Sequence, residues 1–126
     1  MPPEPASRPR LRFRRRHRLS GARAFGLVFR EGRRAAGRLL VLYVRPDGAP
    51  EPRLGLSVGR RVGKATVRNA VKRRLREVFR LMLPELERPV DVVVVPLTAS
   101  RNRKSADLEA EFRELLQRAL RVRAPR

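Results

Sequence analysis

Arg68, Lys72, Arg76 and Arg80 recur at a strict spacing of four, and Asn69 and Arg73 stand one step round from the first of them. On an α-helix that spacing stacks like charges along one face. The chemistry open to such a row is phosphate recognition, because guanidinium and ammonium groups make charge-assisted hydrogen bonds to phosphate oxygens. The same segment carries Val67, Val71, Leu75, Val78, Phe79 and Met82 in steps of four, four, three, one and three. That is an apolar stripe able to dock the helix on a core. Like charges four apart repel by about 0.2–0.5 kcal/mol per pair. Cations in the first turns also oppose the helix dipole, with Thr66 as the expected N-cap. An arrangement that costs stability in isolation points to an anionic partner.

Protein-borne chemistry finds little support beside it. The stretch "GRRVGKAT", residues 59–66, invites comparison with a phosphate-cradling P-loop, but that motif needs Gly where this chain has Val58 and Ser or Thr where it has Ala65. The single histidine, His17, lies within an arginine run and reads as solvated or phosphate-contacting rather than as an acid or base. Glu77 and Asp91 are isolated in sequence, with no second carboxylate at metal-bridging spacing. No catalytic residue and no protein metal site is expected.

Composition agrees with a binding role. The chain has 126 residues, enough for one domain with one modest core. Lys and Arg number 32 against 12 Asp and Glu, a formal charge of +20 that destabilises a compact state unless anions offset it. Only Lys64, Lys72 and Lys104 are lysines, leaving 29 arginines, a bias that phosphate recognition explains and that a GC-rich genome would also produce. Cysteine is absent, so there is no disulfide framework and no thiol nucleophile. The runs "LLVLYV" at 39–44 and "VVVVPL" at 92–97 are too short to span a bilayer, and the basic N-terminus lacks the apolar core of a secretory signal. Cytoplasmic residence is the resulting expectation. RNA suits the pattern better than duplex DNA, since no helix-turn-helix or zinc-finger signature is present.

The elements that must position the basic row follow from periodicity. Residues 1–16 form a Pro-rich and basic arm expected to be disordered when free, 17–122 a single domain, and 123–126 a tail. A first helix is predicted from Ser20 as N-cap to Gly32 as its stop, with Ala22, Phe25, Val28 and Phe29 on one face. By that spacing Phe29 belongs to the core. Residues 33–46 read as a short edge strand followed by a buried strand, in which Tyr43 points opposite to Leu42 and Val44. Turn residues fill 46–52, and a half-buried strand is predicted over 53–60. After the basic helix comes a Val-rich strand at 89–97, then a helix from about Ser105 in which acid is concentrated. The order α-β-β-β-α-β-α predicts an α+β fold with helices packed on a four-stranded mixed sheet.

At this point residues carry a resemblance. "RLGLSVGRRVGKATVRNAVKRRLREVFR", 53–80, is similar to the hallmark region of the bacterial ribonuclease P protein component family, a G-L-S-V strand, a basic turn and a helix with R-N-x-x-K-R-x-x-R-E. "HRLSGARAFGLVFREGRR", 17–34, resembles the first helix of that family, and "LVLYV" and "VDVVVVP" resemble its inner strands. The resemblance implies a left-handed crossover from the third strand through the basic helix to the fourth, which pattern reasoning alone would have made right-handed.

It further implies the protein subunit of a ribonucleoprotein endonuclease, acting as a monomer within the complex. The RNA subunit is then the catalyst and removes the 5′ leader of precursor tRNA with magnesium bound mainly by RNA. Arg61, Lys64, Arg68, Asn69, Lys72, Arg73 and Arg76 would face the RNA subunit. Arg14, Arg18, Phe25, Phe29, Tyr43 and Ser57 would receive the leader. One departure is plain: the family commonly reads R-N-R, whereas this chain has Arg68, Asn69 and Ala70, with Arg74 one turn on as the candidate to compensate. Two rivals remain, a ribosomal or chaperone-type RNA binder and an independent nuclease, the latter requiring Glu77 and Asp91 to meet over the basic face.

Overall fold

A computed structural model describes residues 15–46, 50–86 and 89–121. The tail, and the arm apart from Arg15 and Arg16, lie outside the described residues, as does Arg14. Helix α1 spans Ala22–Glu31, α2 Ala65–Met82 and α3 Ser105–Arg121, and the strands are β1 Arg33–Ala36, β2 Leu40–Pro46, β3 Arg53–Leu56 and β4 Val90–Pro96. They form one sheet in the order β1-β2-β4-β3, with β3 parallel to β4 and the other neighbours antiparallel.

Alternation along the strands divides the sheet into two faces. Leu40, Leu42, Val44, Leu54, Val92 and Val94 point to one side, where Val71, Leu75 and Phe79 of α2 meet Leu108, Phe112 and Leu115 of α3. Phe79 and Phe112 are fully buried there, their ring centroids 6.4 Å apart. The opposite face carries Val93, Val95 and Tyr43 against Leu19, Ala24, Phe25 and Val28 of the α1 segment. The apolar stripe predicted for the basic helix is thus the inner face of α2.

The hand of the β3-α2-β4 crossover follows from backbone chirality. For an L residue whose side chain faces the viewer on an upward strand, the amide groups point right. Leu54 and Val94 both face the α2–α3 layer. The Leu54 carbonyl accepts from Leu19, outside the sheet, whereas the Val94 carbonyl accepts from Ser57 on the β3 side, both at 2.9 Å. With the helices in front, β4 therefore lies left of β3. A connection passing in front and moving left is left-handed, against the usual preference.

Several local expectations are corrected. Helix α1 begins after Gly21, whose φ of 94° is a left-handed value suited to glycine, and no side chain caps it, so Ser20 is not the cap. Gly32 does end it, donating to the Val28 carbonyl at 2.7 Å. The third strand stops at Leu56 because the chain turns through a 3-10 segment at Arg60–Val62 before α2. Helix α2 starts at Ala65, one residue before Thr66, with Lys64 in the cap position and no side-chain cap bond. His17 is buried rather than solvated, its Nε2 3.4 Å from the Glu51 carboxylate. Phe29 is 38% exposed, so it is not core; it lies at the rim of the strip of α1 that packs on the sheet.

Candidate RNA interface

The basic row occupies the face of α2 turned away from the core, because Val71, Leu75, Val78 and Phe79 consume the inner face. Asn69 and Arg73 are exposed, while Arg68, Lys72 and Arg76 are half-buried, their stems lying along the protein surface. Arg61 and Lys64 project from the turn that feeds the helix. Carboxylates in the described chain are engaged elsewhere: Asp91 with Arg53 and Arg45, Glu31 with Arg45, Glu85 and Glu109 with Arg113, Glu114 with Arg118. Among the described residues none forms an ion pair with Arg61, Lys64, Arg68, Lys72, Arg73 or Arg76. Arg80, the fourth member of the row, differs, because Glu77 one turn back neutralises it.

Two features of the row express crowding of positive charge. The Arg68 Nε is shut off from solvent with no hydrogen-bond partner among the described residues. Burial, and secondarily the nearby Arg18 charge, holds the Arg76 guanidinium below its usual pKa. An anion beside Arg18 and Arg76 would relieve the second.

Arg18 owes its position to the sheet edge. The segment before α1 runs parallel to β3, where Arg18 bridges Leu54 and Leu19 donates to the Leu54 carbonyl, covering an edge that would otherwise be open. This brings Arg18 beside Lys72 and Arg76 around a hollow of about 250 Å³ floored by Leu54, Leu56 and Phe25. Residues assigned separately by sequence, Arg18 to the leader and Lys72 and Arg76 to the RNA subunit, therefore share one concavity.

A second cluster is aromatic and lies on the α1 side of the sheet. Phe29 meets Tyr43 edge-on with centroids 4.8 Å apart, and Phe25 lies 6.4 Å from Phe29. Tyr43 is half-buried on the face opposite to Leu42 and Val44, as alternation requires. Phe25 closes over Gly55: a Cβ there would stand 2.7 Å from the Phe25 Cζ, so the ring can settle on the strand only because residue 55 has no side chain. Ser57 is half-buried, its backbone N–H bonded to Val94. Arg34, which sequence reasoning missed, donates from Nε to the Tyr43 hydroxyl at 3.3 Å. Its signal was the edge-strand alternation that places Arg34 opposite Tyr43 and on the same face.

The carboxylates of the nuclease alternative do not meet. Asp91 is 1% exposed and takes both Arg53 hydrogen bonds at 2.9 Å, on the α1 face. Glu77 lies on α2, across the sheet, paired with Arg80.

Comparison with known proteins accords with this arrangement. The family described as Ribonuclease P matches residues 13–120. The chain is similar to a ribonuclease P protein component from Symbiobacterium thermophilum, 37% identical over 108 residues, 85% of this chain and 94% of that one. It is 41% identical to one from Acidothermus cellulolyticus over 105 residues, 82% of this chain and 88% of the relative. The solved structure of the RNase P protein from Thermotoga maritima superposes with a TM-score of 0.71 at 31% identity, covering 85% of this chain and 98% of that one.

Proposed function

Because the chain belongs to the ribonuclease P protein family, we propose that it binds the catalytic RNA through α2 and the 5′ leader of precursor tRNA through the aromatic cluster on α1 and β2. It thereby assists magnesium-dependent removal of the leader. The observation that carries the first half is the row Arg68, Lys72, Arg73 and Arg76, set along one exposed side of α2 and without an ion pair among the described residues, whose carboxylates are engaged elsewhere. RNA phosphates replace counterions along such a row, which makes affinity steeply dependent on salt.

The second half rests on Phe29 and Tyr43, half in solvent and set edge-on. An unpaired base stacks on such rings for about 1–3 kcal/mol whatever its identity, which suits leaders of varied sequence. The hollow at Arg18, Lys72 and Arg76 lies where the two surfaces approach, and takes a phosphate between them.

Among the described residues no three His, Cys, Asp or Glu side chains converge as a metal-binding group. Independently of that, the magnesium is assigned to RNA phosphates and the chemical step to the RNA, as membership of the family implies. What the protein supplies is orientation and screening, as a single copy in the complex. No helix of the described residues is long and apolar enough to cross a membrane.

The direct test is cleavage of a precursor tRNA at low magnesium by a bacterial ribonuclease P RNA, with this protein, without it, and by the protein alone. Cleavage at the mature 5′ end only when both are present is expected. Activity of the protein alone overturns the assignment of chemistry, and no enhancement across several RNA subunits leaves general RNA binding as the better description.

A control follows from the acid of α3. Glu109 accepts from Arg113, which also holds Glu85, and it pairs with no member of the basic row. Glu109→Ala is expected to leave RNA affinity and its salt slope unchanged in a filter-binding titration. A marked loss would put the acidic helix at the interface.

A further inference from the structure

The loop between β4 and α3 reads "RNRK" over residues 101–104, four exposed residues of which three are cationic. It is a built turn. Ser100 is fully buried and its hydroxyl donates to the Leu97 carbonyl at 2.7 Å; Arg101 N–H donates to Thr98 at 3.2 Å and Arg103 N–H to Ser100 at 3.1 Å. The 3-10 turn Thr98–Ser100 packs against the turn Arg60–Val62, whose Val62 is likewise buried. Each turn is pinned by a core residue and presents its cations outward: Arg101, Arg103 and Lys104 from one, Arg60, Arg61 and the adjoining Lys64 from the other. Arg74 ties the loop to α2 through a long hydrogen bond from Nη1 to the Arg101 carbonyl, 3.4 Å.

Six positive side chains are thereby gathered at one end of the molecule, where only Asp107, 3.8 Å from Arg103, forms an ion pair with any of them among the described residues. An exposed pair at that distance contributes little. Helices α2 and α3 both begin here, so their dipoles add to the positive potential instead of opposing it. Stability does not account for such a cluster, and a polyanion does.

We propose that Arg101, Arg103 and Lys104 form, with Arg60, Arg61 and Lys64, a second contact surface for the catalytic RNA subunit, extending the α2 footprint round the end of the helix. The RNA subunit is favoured over precursor tRNA because the turn Thr98–Ser100 that leads into the loop packs against the Arg60–Val62 turn that feeds α2, whereas Phe29 and Tyr43 pair on the α1 side of the sheet. The inference rests on the reading that α2 binds that RNA.

The test is the full chain carrying Arg101→Ala, Arg103→Ala and Lys104→Ala, titrated onto a ribonuclease P RNA transcript over a range of salt, beside wild type and Arg68→Ala/Lys72→Ala. The loop variant is expected to bind about tenfold more weakly near physiological salt and to flatten the salt slope by about two to three units. Restoring lysine at all three positions should recover most of the slope, which a folding defect would not allow. If the loop variant matches wild type while the α2 variant is impaired, the loop surface is wrong and the α2 reading stands. If neither is impaired, both fall. Normal binding to the RNA transcript with a lost preference for precursor over mature tRNA overturns the proposal in favour of the precursor.

Discussion

Replacing Arg68 and Lys72 together by Ala is expected to lower affinity for ribonuclease P RNA and to flatten the dependence of log affinity on log salt by about 1.5 to 2 units. The reason is positional. Neither side chain forms an ion pair among the described residues, so truncation removes phosphate partners without breaking an internal bridge. Fold stability should fall little or rise, since loss of a like-charge neighbour four residues away relieves about 0.2–0.5 kcal/mol. A steep, unchanged slope with a normal thermal melt would remove α2 from the RNA interface. Arg80→Ala is the informative contrast: its guanidinium is already held by Glu77, so its effect on the slope should be smaller.

Phe29→Ala should reduce the preference of the assembled ribonucleoprotein for precursor tRNA over mature tRNA by about 5- to 150-fold, corresponding to about 1–3 kcal/mol for one lost base stack. Phe29 is one of the few large apolar side chains left in solvent among the described residues, and it meets Tyr43 edge-on at 4.8 Å. Its removal also forfeits that ring contact, about 0.5–1.5 kcal/mol of local stability. Phe29→Leu separates the two effects, keeping apolar bulk against Tyr43 while losing the flat face. A similarly reduced preference for precursor tRNA in both variants, with RNA-subunit affinity intact, is the expected pattern. A preference unaltered by either substitution would place the leader elsewhere.

The fate of Phe29 shows where sequence reasoning reached its end. Periodicity puts Ala22, Phe25, Val28 and Phe29 on one side of α1, but it cannot say how much of that side the sheet covers. Val28 is 1% exposed and Phe29 38%, although they are adjacent. The strip of contact is narrower than the apolar arc, and the residue at its rim becomes surface. His17 erred in the other direction. Its arginine neighbours argued for solvent, yet the segment lies along the edge of β3 and turns the ring inward, toward Glu51. Arg74, offered as a substitute for the missing motif arginine at Ala70, is directed instead to the main chain at Arg101.

What the sequence determined by itself is what repeats locally. Alternation and helical spacing are short-range consequences of backbone geometry, and they specified the elements, the buried face of α2 and the row of cations opposite it. The family could be recognised because those same local patterns carry its motifs. Tertiary structure alone decided which distant groups meet: Arg18 with Lys72 and Arg76 across the β3 edge, Glu111 with the backbone N–H groups of Leu39 and Leu40, and the 101–104 loop with the turn before α2. It also decided that Asp91 and Glu77 are separated by the sheet. Those outcomes depend on strand order and on the hand of a crossover that ordinary preference would reverse, and no spacing along the chain encodes either.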